Sequence, residues 1–291
     1  MPSIDEYKEI IDKNLDKFLK IQYPKEIFES MRYSVLAEGK RLRPIMVLES
    51  CNMISGCYEN AIPTACAIEM LHAQSLIHDD LPCMDNDDFR RGKLTNHKAF
   101  SESTAVLAGD ALLSFAPQII IKNPKNNSQG TLLRVLNEFF ESAGAYGIVA
   151  GQIVDIASEH KKIDIETLQY IHKYKTAHLF KCALKCGAIL GGANDIKVKQ
   201  IDEFADEFGL AFQICDDILD TIATFDEIGK TPNKDKTAEK STYVTFFGLS
   251  EAYNKLSYHV EKACNILNKS DFKSEILFNI TLELEKKVKR G

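Results

Sequence analysis

The chain has 291 residues, of which 45% are hydrophobic and 27% charged, and its formal net charge at pH 7 is -6. This balance is that of an ordinary globular protein and argues against a disordered or fibrous chain. The acidic net charge argues against a broad nucleic-acid-binding surface, so an anionic ligand must be bound by local lysines and arginines.

The chain begins with a predicted amphipathic helix. Ser3 and Glu6 have the spacing of a capping box. Apolar residues follow at helical intervals, at Tyr7, Ile10, Ile11, Leu15, Phe18 and Leu19. Because this segment is acidic and has no continuous apolar centre, it does not resemble a signal peptide.

Helical spacing of apolar residues continues along nearly the whole chain, and no convincing run of strands interrupts it. Helix breaks are predicted at Tyr23-Pro24, Ser55-Gly56, Leu81-Pro82, Asn123 to Gly130, His160 to Asp164, Gly191 to Asp195 and Thr231 to Lys236. These breaks predict an all-α fold, a large single bundle of roughly ten or more helices, with residues 1–291 forming one domain.

A first group of aspartates follows a predicted helix, in the stretch Asp79-Asp80-Leu-Pro-Cys-Met-Asp85. On that helix one face carries His72, Ser75, Leu76 and Asp79. Pro82 should end the helix, so we expect Asp85 to lie on a turn that folds back towards Asp79.

The most apolar stretch, Ala105 to Ile121, contains Gly109, Asp110 and Pro117. We interpret it as too short and too interrupted to span a membrane. The eight cysteines form no C-x-x-C pair and follow no secretory signal. They predict reduced thiols and a cytoplasmic protein rather than a zinc site or a disulfide framework.

A second group of aspartates lies in Asp216-Asp217-Ile-Leu-Asp220, with Gln213 one helical turn earlier. Asp216 and Asp220 are four residues apart and could share a metal ion. Clustered carboxylates repel one another and need cations, and hard oxygen ligands favour Mg²⁺. Since Mg²⁺ usually keeps waters and substrate phosphate oxygens as ligands, the two groups indicate a bound diphosphate.

Several basic residues near these groups have no evident structural purpose in the sequence. Arginine offers a fork of donors and lysine a mobile point charge for phosphate oxygens. The candidates are Lys40, Arg43, Arg90, Arg91, Lys175, Lys230 and Lys240.

Together these residues resemble the trans-prenyltransferases, the isoprenyl diphosphate synthases, almost from end to end. The stretch from Glu69 to Gly92 is similar to the family's first aspartate-rich motif in its longer bacterial and plant form, and Phe212 to Asp220 is similar to the second. Further matches are Gly39 to Pro44, Gly151 to Asp155, Lys175-Thr176 and Lys240 to Tyr243; Glu38 and Ala150 depart from usual glycines. Six motifs in order are a specific signal. The resemblance implies the isoprenoid synthase fold, with helices around a central cavity.

The resemblance also implies roles for individual residues. The diphosphate of isopentenyl diphosphate would be held by Lys40, Arg43, His72 and Arg91. The allylic diphosphate would be held by Arg90, Lys175 and Lys230, with up to three Mg²⁺ on Asp79, Asp85 and Asp216, and with Asp80 and Asp220 in the same metal-binding groups. Thr176 and Gln213 would face the allylic carbocation, and the released diphosphate would accept the proton.

Three other classes of protein share parts of this pattern. Glu69 and His72 match the E-x-x-H spacing of di-iron bundles, which need a second such pair that is not in register here. A terpene cyclase would mix Asn or Asp with Ser or Thr and Glu in its second metal motif. A non-catalytic subunit would be expected to lose aspartates or the arginine pair, which this chain keeps.

The expected product is farnesyl diphosphate, made as in the bacterial members of the family, with geranylgeranyl diphosphate as the alternative. Product length depends on what blocks the apolar tunnel one or two turns below Asp79, and Gln74 leaves that choice open. The resemblance implies small isoprenyl diphosphates as substrates and a homodimer, with no nucleic-acid partner and no membrane span.

Overall fold

A computed structural model describes residues 2–222 and 241–289. This part of the chain divides into two compact units. The first comprises residues up to Phe139 together with Cys186–Gly192, and the second comprises Phe140–Lys185 together with the residues from Ala193 onward. Helices make up most of both units, which confirms the all-α prediction. The single domain over 1–291 stays a prediction.

The first unit begins with helices separated by short turns. Its elements are α1 (Ile4–Phe18), α2 (Lys25–Val35), α3 (Leu42–Ser55), a 3-10 turn (Glu59–Ala61), α4 (Ile62–Asp79), strands β1 (Phe89–Arg90) and β2 (Lys93–Leu94), α5 (Asn96–Ala99) and α6 (Glu102–Lys122). Helix α7 (Gln129–Ala143) starts in this unit and ends in the second.

The second unit is also helical. Its elements are α8 (Ile148–Ser158), α9 (Ile165–Ile171), a π-helix (His172–Ala177), α10 (His178–Leu190), α11 (Asp195–Ile222), α12 (Tyr243–Phe247), α13 (Leu249–Lys269) and α14 (Glu275–Lys289). The last residues of α10 belong to the first unit.

The predicted capping box begins α1. The Ser3 hydroxyl accepts from the Glu6 main-chain N–H at 3.2 Å, and the Glu6 carboxylate accepts from the Ser3 N–H at 2.6 Å. These bonds satisfy two donors that a helix start leaves unpaired. The helix then buries Tyr7, Ile11 and Leu15.

Most predicted helix breaks are confirmed. Helix α3 ends before Gly56, whose φ of 73° closes the helix in the left-handed conformation that glycine adopts without strain. The breaks after Asp79, Lys122, Ser158 and Leu190 also lie where the sequence predicts them. The break predicted at Thr231 to Lys236 lies outside the described residues.

Helix α4 is the core helix of the first unit and packs against α6, α3, α2 and α1. It is apolar on nearly all sides and buries residues along its length, among them Ile68, Met70, Leu71 and Ile77. Burial on nearly all sides holds the helix firmly as far as Leu71, and in its last turns Ala73 and Ile77 are still buried. Its carboxyl-terminal turns therefore hold His72 and Asp79 in defined positions.

The apolar stretch from Ala105 to Ile121, which its sequence presents as short and interrupted, lies within one continuous helix, α6. Gly109, Asp110 and Pro117 do not interrupt its 21 residues, and an 18-residue window of it has a mean hydropathy of 1.6, so the helix is apolar enough to cross a membrane by length and composition. About 44% of that window is buried inside the protein. Its packing on α4 and α2 is that of a core helix, and a proline inside a helix costs one hydrogen bond without ending it.

A short antiparallel hairpin joins α4 to α5, although the sequence shows no run of strands. Phe89 pairs with Leu94 and Arg90 with Lys93. The two turn residues, Arg91 and Gly92, have φ values of 54° and 74°. Positive φ at both positions is typical of a tight two-residue turn, and here it presents two consecutive arginines.

Candidate active site

The turn after α4 brings the ends of the first aspartate group together. The main-chain N–H of Asp85 donates to the carbonyl oxygen of Asp79 at 2.9 Å, and Met84 and Asn86 both donate to Leu81. This closed turn confirms the predicted fold-back of Asp85. Both side chains are partly exposed, so their carboxylates remain accessible to a ligand.

Asp80 has a different environment from its neighbours. It is 3% exposed, and both of its carboxylate oxygens accept from the Nε of Arg90, at 2.7 and 2.9 Å. Burial acts to lower the pKa of Arg90, but the hydrogen bonds and charge of Asp80, followed by the charges of Asp79 and Asp85, raise it above its usual value. The pair fixes the Arg90 guanidinium beside the carboxylates of the turn.

A group of arginines surrounds His72. Arg91 Nη2 lies 3.4 Å from His72 Nε2. Burial, followed by the charges of Arg43, Arg91, Arg90 and Arg41, lowers the pKa of His72 well below its usual value. A neutral imidazole among cations can accept a hydrogen bond without adding charge. Lys40 is exposed on the loop before α3. This concentration of positive charge suits a diphosphate.

Gly39 permits that arrangement. A Cβ at this position would lie 2.9 Å from Nη1 of Arg91, so any larger residue would displace the guanidinium. The sequence shows a glycine before Lys40 but gives no sign that Arg91 packs against it. The contact connects two motifs that lie about fifty residues apart in the sequence.

Glu69 and Arg41 form a buried ion pair that argues against the di-iron alternative. Arg41 Nη1 donates to Glu69 Oε1 at 2.6 Å, Arg41 Nε donates to Asp12 at 2.8 Å, and both Arg41 and Glu69 are almost fully buried. A glutamate neutralised in this way is not placed to bind iron. The E-x-x-H spacing of Glu69 and His72 therefore has a structural explanation.

His78, next to the first aspartate group, has the structural role that its position on another helix face predicts. Its Nε2 lies 3.1 Å from the carbonyl oxygen of Val106, and its Nδ1 lies 3.1 Å from Nε2 of Gln74. Ser75 Oγ donates to the carbonyl oxygen of His72 at 2.9 Å. Gln74 and Ser75 are half-buried. Their predicted place on a product tunnel stays a prediction.

In the second unit the π-helix carries Lys175 and Thr176. Lys175 Nζ donates to Asp155 Oδ2 on α8 at 2.5 Å. Two glycines let neighbouring helices approach: a Cβ at Gly151 would lie 2.1 Å from the main-chain N of Lys175, and one at Gly209 would lie 2.4 Å from Cβ of Ala177. A π-helix inserts one extra residue and is often found at functional sites. Thr176 is half-buried.

The second aspartate group lies near the end of α11. Asp216 is exposed, Asp220 is half-buried and Asp217 is buried. Gln213 Nε2 donates to Asp217 Oδ1 at 3.2 Å, and the main-chain N–H of Tyr243 donates to Asp217 Oδ2 at 2.8 Å. Asp216 and Asp220 thus remain accessible, whereas Asp217 is directed into the protein.

The carboxylates of the two aspartate groups suit Mg²⁺ that is bound jointly by the protein and a substrate. In the described ranges, no three His, Cys, Asp or Glu side chains are grouped closely enough to hold a metal by themselves. Mg²⁺ prefers oxygen ligands and commonly takes one or two carboxylates, with waters and phosphate oxygens completing its shell. Asp79 with Asp85, and Asp216 with Asp220, offer carboxylates of that kind.

Lys230 and Lys240 lie outside the described residues. Two residues without an assigned role in the sequence are engaged in the second unit: Asp155, which pairs with Lys175, and Asp217. In the sequence, Asp155 stands out only as the last residue of the motif Gly151 to Asp155. The burial of Asp217 depends on Tyr243, which lies 26 residues further along the chain.

Comparison with known proteins identifies the family of this chain. The family model described as polyprenyl synthetase matches residues 24–277, so the chain belongs to the polyprenyl synthetase family. A chloroplastic geranylgeranyl pyrophosphate synthase of Catharanthus roseus is 47% identical over 83% of this chain and 68% of its own. A farnesyl diphosphate synthase of Geobacillus stearothermophilus is 40% identical over 92% and 91%.

The solved structures agree as well. A geranyltransferase from Helicobacter pylori, complexed with magnesium and isoprenyl diphosphate, superposes with a TM-score of 0.84 at 29% identity and covers 100% of this chain and 99% of that chain. The protein therefore has the isoprenoid synthase fold and is a prenyltransferase that makes trans-prenyl diphosphates.

Proposed function

We propose that the protein condenses isopentenyl diphosphate with dimethylallyl and geranyl diphosphates, in a reaction that requires Mg²⁺, and releases farnesyl diphosphate. The closed turn that brings Asp79 and Asp85 together carries this proposal. It provides paired carboxylates directly beside arginines, and a metal–diphosphate complex needs both charges at once.

In the first unit we assign the cationic group around His72 to isopentenyl diphosphate. This substrate keeps its diphosphate, so its pocket needs charge but no metal. Arg43 and Arg91 supply bidentate donors, Lys40 supplies a mobile charge, and neutral His72 accepts from Arg91. Asp79, Asp85 and Arg90 bind the allylic diphosphate and its Mg²⁺, with Asp80 neutralising part of the charge on Arg90.

In the second unit Asp216 and Asp220 also bind Mg²⁺ with diphosphate oxygens. Lys175, held by Asp155, and the Thr176 hydroxyl contact the allylic substrate, and Lys230 contributes a further charge from outside the described residues. Bound Mg²⁺ supplies Lewis-acid stabilisation to the departing diphosphate. The Thr176 hydroxyl and Gln213 carbonyl oxygen stabilise positive charge on the allylic carbons.

Product length is the finer part of the proposal. Farnesyl diphosphate is supported by the match to a farnesyl synthase over more than nine-tenths of both chains. Geranylgeranyl diphosphate is the second candidate, because Gln74 and Ser75 place no aromatic ring on the turns below Asp79 and the plant geranylgeranyl synthase is 47% identical.

Chromatography of dephosphorylated products from labelled isopentenyl diphosphate separates the two. Fifteen-carbon product from the wild type supports farnesyl synthesis, and twenty-carbon product supports the alternative. Ser75→Phe should cause ten-carbon product to accumulate if the chain grows past this position. An active, folded Ser75→Phe variant with an unchanged product profile would place the tunnel elsewhere.

We also propose that the protein is a homodimer. Helix α6 exposes Leu107 at 59%, Ile121 at 55% and Val106 at 40%, and a second copy would cover these apolar side chains. Sedimentation velocity of Leu107→Glu should show the monomer, whereas Ile196→Glu, a matched change at an exposed position of α11, should remain dimeric. A dimer unaffected by Leu107→Glu would exclude α6 as the interface.

A further inference from the structure

The buried aspartate of the second group has a geometry that separates it from its neighbours. Asp217 is 5% exposed, and its two carboxylate oxygens accept from two different donors. Oδ2 accepts from the main-chain N–H of Tyr243 at 2.8 Å, and Oδ1 accepts from Nε2 of Gln213 at 3.2 Å. Both oxygens thus accept hydrogen bonds inside the protein, whereas Asp216 is exposed and Asp220 is half-buried.

The surroundings of Asp217 hold it in place. His172 Nε2 lies 3.7 Å from Oδ2, and the His172 ring stacks on Tyr243 with 5.5 Å between ring centres. Tyr243 is the first residue of α12, so its N–H has no partner inside that helix. Turning the carboxylate towards solvent would leave this donor buried and unpaired, which is costly.

An ionised carboxylate can only accept hydrogen bonds, and this fixes the orientation of the Gln213 amide. The NH₂ end must face Asp217, so the carbonyl oxygen Oε1 points away from it. Gln213 is half-buried, and within the described residues its Oε1 accepts no hydrogen bond. The negative end of the amide dipole is thereby presented outward, on the same helix as Asp216.

We propose that Asp217 is a positioning residue that fixes the Gln213 amide with its carbonyl oxygen towards the allylic carbocation. The inference rests on the proposed function at one point, the assignment of Gln213 to the reacting carbons. An amide oxygen stabilises developing positive charge without becoming a permanent counter-charge, whereas the NH₂ end would oppose it. The buried carboxylate therefore acts on the reaction through the orientation of one dipole.

The test is an isosteric exchange of the pair. Asp217→Asn can still accept from Tyr243, but its new NH₂ group faces Gln213 and reverses that amide. We expect kcat to fall at least about tenfold, with KM for both diphosphates and the Mg²⁺ concentration for half-maximal rate changed by less than about twofold. In the double variant Asp217→Asn/Gln213→Glu, one oxygen of the new carboxylate at position 213 accepts from the new amide at position 217 and the other faces outward. Because the new carboxylate adds a full negative charge, this variant should recover only part of the lost kcat, but kcat should rise above that of Asp217→Asn.

Each other outcome identifies a different error. An unchanged kcat in Asp217→Asn, or a loss that the double variant does not reduce, would overturn the inference. A raised Mg²⁺ requirement would show that Asp217 is a metal ligand. If Asp217→Asn does not fold, Gln213→Leu decides, because it leaves the bond from Tyr243 intact and should lose kcat to a similar extent; a normal kcat there overturns the inference. A wild type inactive with every allylic diphosphate would defeat the proposed function instead.

Discussion

The main-chain N–H of Asp85 donates to the carbonyl oxygen of Asp79 at 2.9 Å, which closes the turn that carries the first aspartate group. The backbone thus holds the two residues together. A bound cation would relieve any repulsion between the carboxylates of Asp79 and Asp85, so the closed turn favours metal binding.

Asp79→Ala and Asp216→Ala should each lower kcat by at least about a hundredfold, because each removes a carboxylate that stabilises charge on the departing diphosphate through Mg²⁺. Their melting temperatures should remain close to that of the wild type. Asp88→Ala is the matched control, since Asp88 is exposed and pairs with Lys98. Near-normal turnover in either of the first two variants would refute the metal assignment.

Asp80→Ala should differ from Asp79→Ala in stability. It leaves the guanidinium of Arg90, which is only 14% exposed, without its main partner. Removing one member of a buried ion pair costs about 3 to 5 kcal/mol. Urea unfolding of the two variants measures the difference. Equal stability of the two would show that Arg90 finds other partners and that Asp80 is not structural.

Some features of the fold and the site follow from local sequence, and others depend on residues far apart in the chain. The capping box at Ser3, the break at Gly56 and the fold-back of Asp85 depend on neighbours a few residues away, so local rules predict them. The pairing of Asp80 with Arg90 requires a hairpin with two left-handed residues in its turn. The burial of Asp217 requires Tyr243, far along the chain. The sequence names these residues but gives no sign of which one faces the protein.

The sequence does not predict the π-helix, and Gly151→Ala tests its packing. The added Cβ would lie 2.1 Å from the main-chain N of Lys175, so the helices must separate and the bond from Lys175 to Asp155 should weaken. We expect a loss of about 1 to 3 kcal/mol in the free energy of unfolding, together with a lower kcat.

Gly130→Ala is the control for this change. Its Cβ would meet only the Ser128 hydroxyl at 3.8 Å, and alanine favours the helix by about 0.5 to 1 kcal/mol. If both alanine variants kept full stability and activity, the close approach of α8 to the π-helix would not be required.

His172 predicts a pH dependence of stability. Burial lowers its pKa from 6.5 to about 3. As pH falls below 6.5, the unfolded chain takes up a proton that the folded protein does not, so stability is lost between 6.5 and about 3, at up to about 1.4 kcal/mol per pH unit. His172→Gln should remove this loss of stability with falling pH, whereas a change at the exposed His160, His160→Gln, should not. Urea unfolding at pH 7 and 5.5 measures it; equal slopes in all three proteins would contradict the buried, neutral state of His172.

The most direct test of the central claim is the condensation itself. The purified protein is incubated with labelled isopentenyl diphosphate and geranyl diphosphate, with Mg²⁺ or with an excess of chelator, and the dephosphorylated products are separated by chain length. We predict fifteen-carbon product with Mg²⁺ and none with chelator, restored when Mg²⁺ is added back. Absence of any elongated product from the folded protein with Mg²⁺, with either geranyl or dimethylallyl diphosphate, would contradict the assignment of both aspartate groups to catalysis.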